Sequence, residues 1–170
     1  MAAQQDDPKP QRPALPRGWR RHLARLPLAF YRVGLGPLFG QRLLLLNHIG
    51  RASGLRRRVV LEVVAHDPAP GTGILASGFG AEAAWYRNLQ AAPKTTIQVA
   101  NRHYAVTAAF LTADEGAEIM LRYVSAHPRA ARRPCAFMGF DVDGSTAAYR
   151  RAGRQIPFVR LDAAPGPQRP

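Results

Sequence analysis

The sequence predicts an α+β fold in which an antiparallel β-sheet closes into a small barrel with flanking helices. Short apolar segments of strand length recur along the chain, and turns rich in Gly, Pro and Asn separate them. Other segments carry apolar residues three or four positions apart, which is the spacing of an amphipathic helix. The length of 170 residues suits one domain with a substantial core.

Residues 1–40 are predicted to precede the barrel. Residues 1–16 are polar and rich in Pro, which indicates a disordered tail. Residues 17–40 contain a basic amphipathic helix over 18–33, with a kink expected at Pro27. Two interpretations of this helix stay open: it rests on a membrane surface, or it packs on its own domain with its arginines in solvent.

The barrel domain is assigned to residues 41–163, and a tail to 164–170. The predicted strands are residues 43–49, 59–66, 74–77, 95–99, 103–110 and 156–161. The predicted helices are residues 82–92, a helix from 112 to about 126, and a short helix within 128–138. Pro93 stops the first helix, and Thr112 with Glu115 forms a capping box that opens the second.

The charge of the chain is extreme and unevenly distributed. The formal net charge is +13, and residues 1–60 hold 12 of the 24 Lys and Arg residues but only two acids. Such an imbalance indicates an anionic partner, such as a nucleic acid, lipid headgroups or a multiply charged small molecule. We expect no nucleic acid, because aromatic residues are not interleaved with the arginines.

Cys135 is the only cysteine, which excludes a disulfide framework within the chain. We expect it to be a small buried hydrophobe, and a cytoplasmic location is the default, with membrane association through the N-terminal helix as the alternative. The five histidines lack the spacing of metal ligands, so no metal site is expected. The sequence fixes neither a catalytic dyad nor the oligomeric state.

The first functional candidate is a basic turn at residues 50–58, which we call the arginine turn. Its sequence is Gly-Arg-Ala-Ser-Gly-Leu-Arg-Arg-Arg, and it connects the first two predicted strands. Its glycines allow positive φ and let several backbone N–H groups face one point. Those amides, the Ser53 hydroxyl and the guanidinium groups suit a phosphate or a carboxylate. A solvated hairpin that happens to be basic is the alternative.

The second candidate is Ala-Ser-Gly-Phe-Gly at residues 76–80, which we call the glycine turn. It leads into a helix that carries Trp85, Tyr86, Asn88 and Leu89. The N–H groups at the start of a helix favour an anion or an electron-rich ring edge. Trp85 with Asn88 beside it suits a flat heterocycle. Alternatively the aromatic residues and Leu89 form the core face of the helix, which we favour for Tyr86 and Leu89.

Together these motifs resemble the deazaflavin-dependent nitroreductase family. The matching segments, in the family's order and spacing, are Leu-Asn-His-Ile-Gly-Arg-Ala-Ser-Gly (46–54) with Arg57, Ala-Ser-Gly-Phe-Gly (76–80), Trp-Tyr-Arg-Asn-Leu (85–89) and Ala92-Pro93. The resemblance implies a split β-barrel of the FMN-binding type. It also implies coenzyme F420, an 8-hydroxy-5-deazaflavin, as the cofactor, with FMN less favoured. The protein would then transfer a hydride from the reduced deazaflavin to a small organic acceptor.

The resemblance also implies roles for individual residues. The cofactor-binding residues would be Arg51, Ser53 and Arg57 for the phosphate and acidic tail, Ser77, Gly78 and Gly80 along the ring, and Trp85 and Asn88 closing the slot. If the chain is extended at residues 56–58, Arg56 and Arg58 alternate with Arg57 as along a strand, so we expect them to point the other way.

Departures from the family pattern bear on the acceptor. Ala52 stands where many relatives have a lysine, which removes one contact to the tail. Relatives that activate nitroimidazoles carry tyrosines at the places that align with His127, Ala130 and Arg133. A quinone, an enone such as an unsaturated lactone, or a nitro compound is therefore the expected acceptor. The alternative function is a non-catalytic barrel that binds a cofactor or a lipid.

Overall fold

Six antiparallel strands and four helices make up the part of the chain that the computed structural model describes, residues 41–66 and 72–164. The strands are β1 (Leu43–Ile49), β2 (Arg56–His66), β3 (Gly73–Ala76), β4 (Lys94–Val99), β5 (Arg102–Phe110) and β6 (Phe158–Ala163). The helices are α1 (Ala84–Ala91), α2 (Ala113–Ala126), α3 (Arg132–Phe137) and α4 (Thr146–Gln155). The predicted tail at 1–16, the basic helix within 17–40 and the C-terminal tail beyond 164 lie outside the described residues.

Main-chain pairing closes the sheet into a barrel. The strand order is β1-β2-β3-β6-β5-β4, and β4 pairs back to β1. Alternate residues of the strands face the interior because successive side chains of a strand point to opposite faces. The interior includes Leu44, Leu46, Leu75, Ile97, Val106 and Leu161, all buried. The predicted antiparallel barrel is confirmed.

Strand β2 begins earlier than predicted. The predicted start was the apolar Val59, but the strand begins at Arg56, and Arg57 lies opposite His48 of β1. The pairing of two strands depends on main-chain hydrogen bonds, so it continues where the side chains become polar. As a result, three consecutive arginines belong to the barrel wall and not to a loop.

Helices α2, α3 and α4 cover the outer face of the barrel and form a second core. Helices α2 and α4 approach backbone to backbone, since a Cβ at Gly116 would lie 2.6 Å from the carbonyl oxygen of Gly153. Cys135 is fully buried in this core, as predicted. Burial raises the pKa of its thiol to about 11.

Helix α4 is the element that the sequence analysis does not predict. Its N-cap is Ser145, whose Oγ accepts a hydrogen bond from the Ala148 N–H at 3.1 Å. Ala148, Tyr149 and Ala152 are buried on one face of the helix. Interspersed arginines and a glycine obscure this helical spacing, and glycine is a weak helix former. The predicted capping box at the start of α2 is confirmed.

Candidate functional site

The two candidate turns lie at the same rim of the barrel. Strands β1 and β3 both run antiparallel to β2, so their C-terminal ends point the same way. The arginine turn follows β1, and the glycine turn ends β3 and leads into α1. Asn88 of α1 hydrogen-bonds to Arg51 of the arginine turn. Residues 83 and 88 of a helix are about 7.5 Å apart along its axis, so α1 joins the two turns over a short distance.

Hydrogen bonds hold the arginine turn in one conformation. The Gly50 N–H donates to the Leu55 carbonyl at 2.8 Å, and the Gly54 N–H donates to the Gly50 carbonyl at 2.7 Å. Gly54 has a φ of +65°, which glycine adopts without strain. Ser53 Oγ accepts hydrogen bonds from the Leu55 N–H at 3.4 Å and from Arg57 Nη2 at 3.5 Å. The Ser53 hydroxyl thereby fixes the guanidinium group of Arg57 beside the turn.

Gly50 lies directly beneath the side chains of Ser53 and Arg57. A Cβ at this position would lie 2.6 Å from Ser53 Oγ and 3.0 Å from Arg57 Nε. Contacts this short would push both groups away from the main chain. The missing side chain at residue 50 therefore lets a hydroxyl and a guanidinium group converge on one point.

The arginines of this turn have no acidic partner among the described residues. Arg51 and Arg57 are exposed, and their side chains hydrogen-bond to the neutral groups of Asn88 and Ser53. Elsewhere in the described chain, by contrast, arginines pair with acids: Arg154 lies 2.6 Å from Asp114 on the outer helices, for example. Exposed guanidinium groups without counter-ions create a local positive potential that attracts anions.

Asn88 connects α1 to the arginine turn and to His48. Its Oδ1 accepts hydrogen bonds from the Arg51 main-chain N–H at 3.1 Å and from Arg51 Nη1 at 3.3 Å. Its Nδ2 lies 2.8 Å from His48 Nδ1. Asn88 and His48 are only 3% and 6% exposed. Burial, together with the nearby Arg57 guanidinium, lowers the pKa of His48, which favours the neutral imidazole.

The glycine turn is closed by Ser77. Ser77 Oγ donates a hydrogen bond to the Gly80 carbonyl at 2.6 Å, and the Gly80 N–H donates to the Ser77 carbonyl at 2.9 Å. Gly80 has a φ of +79°, which again favours glycine. Ser77 is buried while Gly78 is half-buried. The hydroxyl therefore holds the shape of the turn, and the main chain around Gly78 reaches the surface.

Trp85 lies in the barrel core together with Tyr86 and Leu89. The core interpretation of Tyr86 and Leu89 is confirmed. Trp85 is 7% exposed. Its ring centre lies 5.8 Å from that of Tyr86, in a T-shaped arrangement. The contact of Trp85 with a cofactor ring stays a prediction.

Two further residues at the rim are not among the predicted site residues. His48 occurs within a segment that carries the family resemblance, but its contact with Asn88 is visible only in the fold. Phe137 of α3 is 58% exposed, and its ring centre lies 6.0 Å from that of Phe79 in a T-shaped arrangement. A Cβ at Gly78 would lie 3.5 Å from the Phe137 ring, so Phe137 lies against the glycine turn, to which Phe79 belongs.

Neither a metal-binding cluster nor a membrane-spanning helix is found among residues 41–66 and 72–164. No group of three or more His, Cys, Asp and Glu side chains comes together there in a way that could hold a metal ion. In the same residues, no helix combines the length and the apolar character of a membrane span.

The closed six-stranded barrel places the protein among the split-barrel proteins. A model of the F420H(2)-dependent quinone reductase family matches residues 24–134 of the chain. The chain therefore belongs to that family, and it is an oxidoreductase that uses coenzyme F420. The predicted cofactor and enzyme class are confirmed. No curated protein matches the chain.

Several solved structures resemble this one at low sequence identity. A conserved hypothetical protein from Mycobacterium tuberculosis is 12% identical with a TM-score of 0.50, over 78% of this chain and 79% of that one. An F420-H2 dependent reductase, FDR-A, is 21% identical with a TM-score of 0.49, and the match covers 72% of this chain and 96% of that one. A pyridoxamine 5'-phosphate oxidase-related, FMN binding protein from Nostoc punctiforme is 16% identical with a TM-score of 0.49. That match covers 87% of this chain and 81% of the other. The similarity to the Mycobacterium tuberculosis protein, with its TM-score of 0.50, supports the assignment of the fold.

Proposed function

We propose that the protein transfers a hydride from reduced F420 to a quinone, and that the arginine turn holds the anionic tail of the cofactor. The observation that carries this proposal is the pair of exposed guanidinium groups of Arg51 and Arg57, held by Asn88 and Ser53 without an acidic partner in the described residues. A planar guanidinium group can bind a phosphate or carboxylate through two parallel hydrogen bonds. The space above Gly50 brings a hydroxyl to the same point.

The rim fits a cofactor with two unlike ends. F420 has a flat tricyclic ring at one end and a phosphodiester with glutamates at the other. In our proposal Gly78 and Gly80 lie along the ring, Ser77 fixes their turn, and Trp85 and Asn88 back the slot. Helix α1 then sets the distance between ring and tail, about 7.5 Å between its N-cap residue Ala83 and Asn88.

The chemistry divides between the cofactor and the protein. Reduced F420, when bound, supplies a hydride from its ring. The two turns orient the ring against the acceptor, and the buried face of α1 excludes water from behind it. Orientation of this kind lowers the barrier because the reactants no longer have to find their relative position.

A quinone is the acceptor that we propose. The description of the family supports it, and so does the exposed ring of Phe137 beside the partly buried Phe79, because a flat quinone can stack on an aromatic surface. Positions 127, 130 and 133 carry no tyrosine, which disfavours a nitroimidazole. An unsaturated lactone or another enone is the second candidate.

Two measurements test this proposal. Gel filtration after incubation with F420, with FMN as the control, should show co-elution of the F420 absorbance alone. Oxidation of F420H2 should then be fastest with a soluble naphthoquinone, compared with a nitroimidazole and an unsaturated lactone. Failure of F420 to co-elute would contradict the cofactor site. Faster turnover of the lactone would contradict the quinone.

Membrane contact of the N-terminal region is a separate proposal, based on sequence alone. Each arginine near an anionic surface contributes about 1 kcal/mol of binding. Replacement of Arg17, Arg20, Arg21 and Arg25 by Gln in the full chain should abolish its flotation with anionic vesicles. Equal flotation of the two proteins would contradict a membrane role for these arginines.

A further inference from the structure

The hydrogen bonds around Asn88 determine the protonation state of His48. Arg51 offers only donors, both to the same oxygen of Asn88, so the amide orientation is fixed with Oδ1 toward Arg51. The other end of the amide, Nδ2, is a donor that faces His48 Nδ1 at 2.8 Å. His48 Nδ1 must therefore be an acceptor. The imidazole is neutral, and its proton is on Nε2.

We propose that His48 is a positioning residue for cofactor binding, which acts through Asn88 to hold Arg51 in place. This inference rests on the proposed function, because it deepens the role of the arginine turn. His48 is buried, and it contacts Asn88, which in turn contacts the arginine turn. It would therefore act on a ligand indirectly, without touching it. Its neutral form locks the amide of Asn88, and the locked amide holds both the main chain and the guanidinium group of Arg51.

Protonation of His48 would break this arrangement. A hydrogen on Nδ1 would face the Nδ2 hydrogens of Asn88, and the amide would have to turn over to accept it. Nδ2 would then face the Arg51 N–H and guanidinium donors, so both hydrogen bonds to Arg51 would be lost. We therefore expect the arginine turn to loosen, and its grip on an anion to weaken, as the pH falls.

Within the described part of the chain, one charged group acts on His48. Arg57 on β2 lies opposite His48 and disfavours a second positive charge. Helix α1 presents Asn88, which does not titrate, and β4 presents Thr95, which donates a hydrogen bond to the main chain of β1 and does not titrate either. Among the described groups that pack on this site, His48 is thus the one whose charge can change in weakly acidic solution, because its pKa lies below the ordinary value.

Two substitutions separate the role of the acceptor atom from that of packing. His48→Asn places a carboxamide oxygen close to the position of Nδ1 and cannot titrate. His48→Leu has a similar volume but offers no acceptor, so it leaves Asn88 Nδ2 without its partner. The full-length protein should be used for both, and thermal unfolding should establish that each variant is folded.

The dissociation constant of oxidised F420, measured by its fluorescence, is the main readout. His48→Leu should raise it about tenfold at about pH 8, as expected when a buried hydrogen-bond network is broken. His48→Asn should stay close to the wild type at that pH. Because the pKa of His48 is lowered, the wild type should lose affinity more steeply than His48→Asn as the pH falls below about 6.5, the ordinary pKa of histidine. Titration of F420 itself affects both proteins equally.

Kinetics and spectroscopy give two further readouts. In His48→Leu the KM for F420H2 should rise while kcat at saturating cofactor changes little, because the tail is remote from the reacting carbon. The imidazole 15N shifts of the wild type at neutral pH should show the Nε2–H tautomer. An Nδ1–H tautomer would overturn the inference even if F420 binds. Unchanged affinity in His48→Leu, or equal pH dependence in His48→Asn and wild type, would also overturn it. A wild type that fails to bind F420 at about pH 8 would contradict the proposed function itself.

Discussion

Substitution of Arg57 is the most direct perturbation of the proposed clamp. Arg57 is exposed, and its side chain contacts Ser53 Oγ at 3.5 Å, so Arg57→Ala should change the free energy of unfolding by no more than about 0.5 kcal/mol. A hydrogen bond to a charged group contributes about 1.5–3 kcal/mol, which corresponds to an increase of about 12- to 140-fold in the dissociation constant of F420. The effect should shrink with added salt, because part of the attraction is screened.

Arg56→Ala is the matched control for this experiment. It removes the same charge one residue away, but Arg56 lies opposite Ile49 on the other face of the sheet. Both variants should be titrated with F420 by fluorescence at low and moderate salt, and their turnover compared at saturating cofactor. The reasoning is refuted if folded Arg57→Ala binds F420 like the wild type, or if Arg56→Ala is equally impaired. In the second case general charge, and not the geometry of the turn, holds the tail.

Three further substitutions test other parts of the structure. Gly50→Ala should push Ser53 and Arg57 apart and weaken F420 binding at least about fivefold, close to 1 kcal/mol, with little loss of stability; unchanged binding would mean that the space above Gly50 is unused. Gly116→Ala should lower the free energy of unfolding in urea by about 1–3 kcal/mol through overpacking, because a backbone carbonyl blocks its Cβ. The exposed Glu118→Ala on the same helix is its control. Phe137→Ala should raise the KM for a naphthoquinone and leave F420 affinity unchanged; an unaltered KM would remove Phe137 from the acceptor site.

The sequence predicts the barrel well because its signals are local. Five of the six strands and the cap of α2 follow from alternation, turn residues and a capping box, each within a few neighbouring residues. The start of β2 and the whole of α4 are missed where arginines replace apolar residues. The start of β2 is held by main-chain pairing with β1, and α4 is packed against a partner distant in sequence, Gly153 against Gly116. No local pattern reports such a contact.

The candidate site divides in the same way. The arginine turn and the glycine turn are continuous segments, so the sequence alone reveals both. The contact between His48 and Asn88 joins residues 40 positions apart. It exists because α1 lies across the rim, which depends on the closure of the barrel. Sequence motifs can therefore identify the groups that contact a ligand, while the residues that hold those groups in place require the fold.

Net charge alone would not have singled out a candidate site. The chain carries 24 basic residues, so an anionic ligand could have been assigned to many places. What distinguishes the arginine turn is its local chemistry: the guanidinium groups of Arg51 and Arg57 are held by the neutral partners Asn88 and Ser53. A carboxylate partner such as the one beside Arg154 would fix a guanidinium equally well, but it would also cancel the charge. Neutral partners fix the geometry and leave the charge available, which is what a site for an anionic cofactor tail requires.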